Sequence, residues 1–145
     1  MNMLVRGIGE VEARAQEFVA GLMPEPGHAT IITLSGELGS GKTTFVQAVA
    51  KVLGVAERVT SPSFVIEKVY VLPRGPFKRL VHIDADRLES AHELAILGWK
   101  ELVADQESLV LLEWPERVAD IIPSYAHRIA LAYVDEDTRS FTYDR

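Results

Sequence analysis

Apolar positions along the chain follow two rhythms. Val11, Ala15, Phe18, Val19 and Leu22 recur at the spacing of one helix face, and Pro24, Pro26 and Gly27 end that helix. His28–Ser35 is a short β-branched run, read as a buried strand. From Thr43, the series Thr44, Phe45, Val46, Ala48, Val49, Ala50, Val52 and Leu53 predicts a mostly buried helix closed by Gly54. Val65–Leu72 and Arg79–Asp84 read as strands on either side of a turn at Pro73–Pro76. Ser90–Ala104 reads as helical with an interruption near Gly98, and Ser108–Trp114 as a fully apolar strand. The tail offers His127–Asp135 and a weaker strand, Arg139–Asp144, joined by a hairpin around Asp135–Thr138.

Strands that alternate with helices predict a three-layer α/β fold: a mostly parallel central sheet, antiparallel edge strands and flanking helices. No repeat, low-complexity segment or linker divides the 145 residues, so residues 1–145 are expected to form a single domain. The absence of cysteine excludes disulfides, zinc–thiolate sites and cysteine nucleophiles, and suits a cytoplasmic setting. No apolar run approaches the roughly 20 residues of a membrane span, and the first residues lack the apolar stretch of a signal peptide. A net charge of −6 disfavours nonspecific binding to nucleic acid, so action on an RNA or DNA pathway is expected to run through a protein partner.

The segment Gly36-Glu37-Leu38-Gly39-Ser40-Gly41-Lys42-Thr43, followed by Thr44, is a complete P-loop pattern between an apolar strand and an apolar helix. It makes the expected fold P-loop NTPase-like. Glycines let backbone amides approach phosphate oxygens, and the helix that opens after Gly41 adds its unpaired amides and positive end. In such a loop the lysine, here Lys42, reaches the β- and γ-phosphates, and the Thr43 hydroxyl ligates Mg²⁺.

A P-loop site also needs an acid at the end of a neighbouring strand. Asp84 and Glu113 both qualify, one for the metal and one to orient or deprotonate water; each has the alternative of capping a helix or pairing with a surface arginine. Arg87 is placed to support a carboxylate or phosphate, or to form a plain surface ion pair. His82 shares the strand face of Asp84 and reads first as a buried, hydrogen-bonded core histidine. Thr60-Ser61-Pro62-Ser63-Phe64 is either a switch-like loop that orders around the γ-phosphate or a turn before a strand. Trp114 is a core residue or a partner-facing aromatic.

The segments LSGELGSGKTTF, TSPSF, HIDADRL and LEWPE, in that order and spacing, resemble the TsaE (YjeE) family of small bacterial P-loop ATPases, from the first helix to about Pro123. The resemblance implies ATP and Mg²⁺ as cofactors and a place in making threonylcarbamoyladenosine beside the anticodon of tRNAs that read codons starting with A. It implies action beside a TsaB–TsaD complex, reset by ATP hydrolysis, with tRNA met only through that complex. It places the catalytic aspartate on Asp84, the P-loop lysine and threonine on Lys42 and Thr43, the magnesium-binding glutamate on Glu113 and the tryptophan on Trp114. The switch-like loop falls on Thr60–Phe64. Two positions depart from the family pattern, Asp86 for a tyrosine and Ser63 for a threonine, and the threonine often found early in the first helix is not evident.

No arginine finger is evident, so weak activity is expected of the isolated chain, and Arg117, Arg128 and Arg139 after Glu113 are too scattered for the arginine-rich lid of a kinase. Two alternatives remain at this level: a small-molecule P-loop kinase, and a nucleotide-gated binding module with incidental hydrolysis.

Overall fold

The computed structural model describes residues 2–57, 59 and 66–145. The described elements run β1 (Asn2–Arg6), α1 (Gly7–Ala20), β2 (Thr30–Ser35), α2 (Lys42–Val52), β3 (Glu67–Val71), β4 (Arg79–Asp84), α3 (Ala91–Ile96), α4 (Trp99–Val103), β5 (Ser108–Glu113), a 3₁₀ helix (Pro115–Ile121), β6 (His127–Asp135) and β7 (Thr138–Asp144). One sheet takes all seven strands in the order β1-β7-β6-β2-β5-β4-β3. Its centre, β6-β2-β5-β4, is parallel. Antiparallel partners close both sides: β7 and β1 beyond β6, and β3 beyond β4.

Strand alternation explains why helices cover both faces. Ile32 and Leu34 of β2 with Leu109 and Leu111 of β5 point to a core completed by Ala15 of α1 and Phe45, Val46 and Val49 of α2. Their neighbours Ile31, Val110 and Leu112 point the other way, to Leu94, Trp99 and Val118 from α3, α4 and the 3₁₀ helix. β5 is buried at every position, as a strand covered on both faces must be. β6 is covered on one face only, so Ile129 and Leu131 are buried while Arg128, Ala130 and Ala132 are exposed.

The expected three-layer α/β architecture is present, with differences in detail. β1 lies upstream of any strand signal; only Val5 of its five residues is fully buried, and the strand forms because β7 offers it an edge. α1 starts at Gly7, earlier than the apolar spacing indicates, where the Gly7 amide donates to the Asp137 carbonyl of the β6–β7 turn. The interruption expected near Gly98 is present, dividing α3 from α4 at a glycine whose φ is +89°. Trp114 leaves β5 in the left-handed region at φ 59°, and a 3₁₀ helix follows that the apolar pattern does not indicate. The segment Thr60–Phe64 and the start of the strand expected from Val65 lie outside the described residues.

Leu111 is fully buried at the centre of β5 whereas Val71 on edge strand β3 is 79% exposed. Leu111→Ala is expected to lower unfolding free energy by about 2–5 kcal/mol, and Val71→Ala by less than about 0.5 kcal/mol, both read from urea denaturation.

Candidate functional site

The loop between β2 and α2 turns on a close approach. A Cβ added at Gly36 would lie 2.3 Å from the Leu131 carbonyl oxygen of β6 and 2.5 Å from Ser40 Oγ, and φ is +144° there, so only glycine fits. The Ser40 amide folds back onto the Glu37 carbonyl at 3.0 Å. Gly41, left-handed at φ 103°, leads into α2, and no side chain caps that helix. The first amides of α2 and its positive dipole end therefore face the loop, the arrangement that binds phosphate. Thr43 and Thr44 are half-buried at this mouth, while Glu37, Leu38 and Gly39 form its exposed outer rim.

Lys42 is buried; its ammonium donates to the Gly36 carbonyl and lies 3.5 Å from the centroid of the Trp114 ring. Burial lowers its pKa, while the charges of Glu113, Glu116, Asp84 and Asp86 act in the opposite direction. Trp114 is half-buried and packs against the cluster under β4 and β5, so it serves the core and also provides an aromatic face for a cation. Its backbone amide donates to Leu34 at the end of β2, 3.3 Å away.

Parallel pairing of β4 with β5 sets Asp84 directly beside Glu113. Both continue the strand face that carries Leu80, Leu109 and Leu111 into the α2 core, so they emerge beside the mouth of α2. Asp84 Oδ1 accepts from the Asp86 amide at 3.0 Å. Desolvation, aided by the nearby charges of Glu113 and Asp86, raises the Asp84 pKa and outweighs that hydrogen bond and His82. A carboxylate so placed is a better proton acceptor than an exposed one. Glu113 is 2% exposed, and its Oε2 accepts from His82 Nε2 at 2.5 Å. His82 is fully buried, as a core histidine would be, yet its Nδ1 has no partner among the described residues. An unsatisfied buried polar atom costs about 1–3 kcal/mol.

The residues singled out in the sequence divide accordingly. Lys42, Thr43, Asp84, Glu113 and Trp114 gather at the end of β2 and the start of α2, whereas Arg87 is exposed in the turn after β4. Asp86, where the family pattern has tyrosine, is exposed with its Oδ1 3.9 Å from Arg117 Nη2. Thr60, Ser61, Pro62, Ser63 and Phe64 lie outside the described residues.

Arg139 also stands beside the loop, a neighbour that no spacing in the sequence indicates, since the loop lies 100 residues earlier. Antiparallel pairing of β6 and β7 brings it there: Nε donates to the Gly39 carbonyl at 3.2 Å and Nη1 to Asp135 and Thr138 carbonyls, with the guanidinium over the Tyr133 ring. Beside it opens a cleft of about 450 Å³ lined by Ile8, Val11, Gly41, Thr44, Phe45 and Arg139, continuous with the phosphate loop.

Among the described residues, no three acidic or histidine side chains form a closed metal cage. Magnesium beside a phosphate takes only one or two carboxylates, with hydroxyl and phosphate oxygens completing its shell. A buried Glu113 carboxylate near the Thr43 end of α2 suits that donor set. No described helix is long and apolar enough to cross a membrane.

A family profile described as "Threonylcarbamoyl adenosine biosynthesis protein TsaE" matches residues 9–141. The chain is 36% identical over 124 residues to the tRNA threonylcarbamoyladenosine biosynthesis protein TsaE of Treponema pallidum, covering 86% of this chain and 87% of that one. It is 33% identical over 141 residues to the protein of the same name from Bacillus subtilis, covering 95% and 82%. The crystal structure of Bacillus subtilis YdiB superposes with a TM-score of 0.74 at 27% identity, over 99% of this chain and 83% of that one. With its sheet order, phosphate loop and paired strand-end acids, this chain belongs to the TsaE family of threonylcarbamoyladenosine biosynthesis proteins, with a P-loop NTPase-like fold.

Proposed function

We propose that the chain is a magnesium-dependent ATPase, a single domain over residues 1–145, that works as a subunit of the cytoplasmic machinery making threonylcarbamoyladenosine in tRNA. Its ATP hydrolysis resets or regulates a TsaB–TsaD-like complex, and it meets tRNA through that complex. The observation that carries the reading is the gathering of a buried lysine, two register-paired acids and the open amides of α2 around one loop, in a chain of this family.

Chemistry here is positioning and charge stabilisation. Amides between Gly36 and Thr44 cradle the phosphates, and the Lys42 ammonium moves from the Gly36 carbonyl to β- and γ-phosphate oxygens. Asp84, with its raised pKa, orients the attacking water and accepts its proton as the bond to the departing ADP oxygen breaks. Thr43 and Glu113 hold Mg²⁺, which when bound neutralises charge on the β- and γ-phosphates. The apolar cleft beside Arg139 accepts the nucleoside, and the Arg139 bond to Gly39 keeps the loop in shape. The Thr60–Phe64 loop, as a switch, reports the γ-phosphate to the partner.

Lys42→Ala should lower phosphate release in the assembled complex by about 10²–10³-fold, in the range found for removing one transition-state donor; normal turnover would defeat the ATPase reading. Asp84→Ala should retain ATP binding and lose turnover, and loss of binding instead would transfer the metal-ligand role to Asp84. Arg139→Ala removes one neutral-acceptor brace and should weaken nucleotide binding about 3- to 10-fold, the effect of about 1 kcal/mol. Phosphate release should rise when TsaB- and TsaD-like partners are added. A phosphorylated small-molecule product would point to a kinase instead.

A further inference from the structure

A buried histidine beside a metal-binding acid has two possible jobs. It fills the core, or it holds the acid in place. We propose that His82 is a positioning residue, whose Nε2–H pins one oxygen of Glu113 so that the other is presented to Mg²⁺ beside Thr43. The inference rests on the site reading above and concerns how its acid is oriented.

Three observations support it. With Glu113 ionised, as a metal ligand must be, its Oε2 can only accept, so Nε2, 2.5 Å away, carries the proton. His82 is fully buried, and its other nitrogen has no partner among the described residues. A ring placed for its own satisfaction would pair both nitrogens; among the described residues, the one hydrogen bond of this ring goes to Glu113. Finally, Lys42 lies close enough for the charge of Glu113 to act on its ammonium. A long carboxylate with free torsions beside a buried ammonium would swing toward it, taking both groups away from a nucleotide. The bond from β4 holds the Glu113 carboxylate back, and Lys42 stays on the Gly36 carbonyl with Trp114 over it. Hydrogen-bonding partners behind metal-binding carboxylates commonly set metal affinity in this way.

The test uses the full chain with ADP and Mn²⁺, a spin-active substitute for Mg²⁺. Mn²⁺ binding to the protein–ADP complex is titrated by electron paramagnetic resonance, and ADP affinity is measured separately in EDTA. His82→Gln places an amide N–H near the position of Nε2, whereas His82→Asn ends near Nδ1 and His82→Leu fills the space without a donor. His82→Gln should stay within about 3-fold of wild type in Mn²⁺ affinity, while His82→Asn and His82→Leu should lose about 10- to 100-fold, with metal-free ADP affinity unchanged in all three. Equal Mn²⁺ affinity in the Gln and Asn variants would overturn the proposal even if the Leu variant fails to fold. A parallel loss of metal-free ADP binding would also overturn it, by showing a merely structural role. Glu113→Gln separates the two levels. If wild type binds ADP but shows no ADP-dependent Mn²⁺ binding that Glu113→Gln removes, the metal site itself is misassigned and the inference falls with it.

Discussion

The position of β5 between β2 and β4 is the constraint on which the site depends. Its register sets Leu34, two residues before the phosphate loop, against Glu113, and sets the same Glu113 against Asp84. A slip of one residue would turn Glu113 to the opposite face and put Leu112 at the mouth of α2, since side chains alternate along a strand. The slip is resisted because every residue of β5 is buried and each face has its own apolar partners. Hydrophobic burial in the middle of the sheet thus fixes an electrostatic arrangement at its end.

That arrangement is a set of buried charges held by opposing forces. Desolvation pushes Lys42 toward its neutral form, and the surrounding acids oppose this only in part. Desolvation, with the charges of Glu113 and Asp86 adding to it, makes Asp84 a weaker acid than a surface aspartate. Trp114 lies over the ammonium from a left-handed backbone, a conformation that costs a non-glycine residue about 1–2 kcal/mol. The Trp114 amide bond to Leu34 and the apolar contacts of its ring hold it there. Strain, burial and unsatisfied polarity converge on these few positions, as is common where a fold is shaped for a ligand.

The opposite rim is built differently. β1, β6 and β7 bring Arg139 to the Gly39 carbonyl and shape the cleft beside Phe45, with Glu136 and Asp137 of the β6–β7 turn at its edge. β6 also supplies the Leu131 carbonyl that leaves room only for glycine at position 36. The phosphate loop is thus supported on one side by the antiparallel end of the sheet and faces the acids of the parallel centre on the other.

Local pattern was enough to identify β2, α2, β4, β5, the division near Gly98 and the β6–β7 hairpin, because apolar periodicity and glycine placement are written in short windows. It was also enough to single out Lys42, Thr43, Asp84 and Glu113, since strand ends and a glycine-rich turn before a helix are local features. β1 carried too short a signal and formed only because β7 left an edge for it. The His82 bond to Glu113, the Trp114 ring over Lys42 and the reach of Arg139 to Gly39 all join residues far apart in the chain. The sequence by itself determined which chemical groups the chain owns and on which elements they ride. Only the tertiary structure decided which of them touch, because strand order and register are set by the summed burial of the whole sheet and no short window contains that sum.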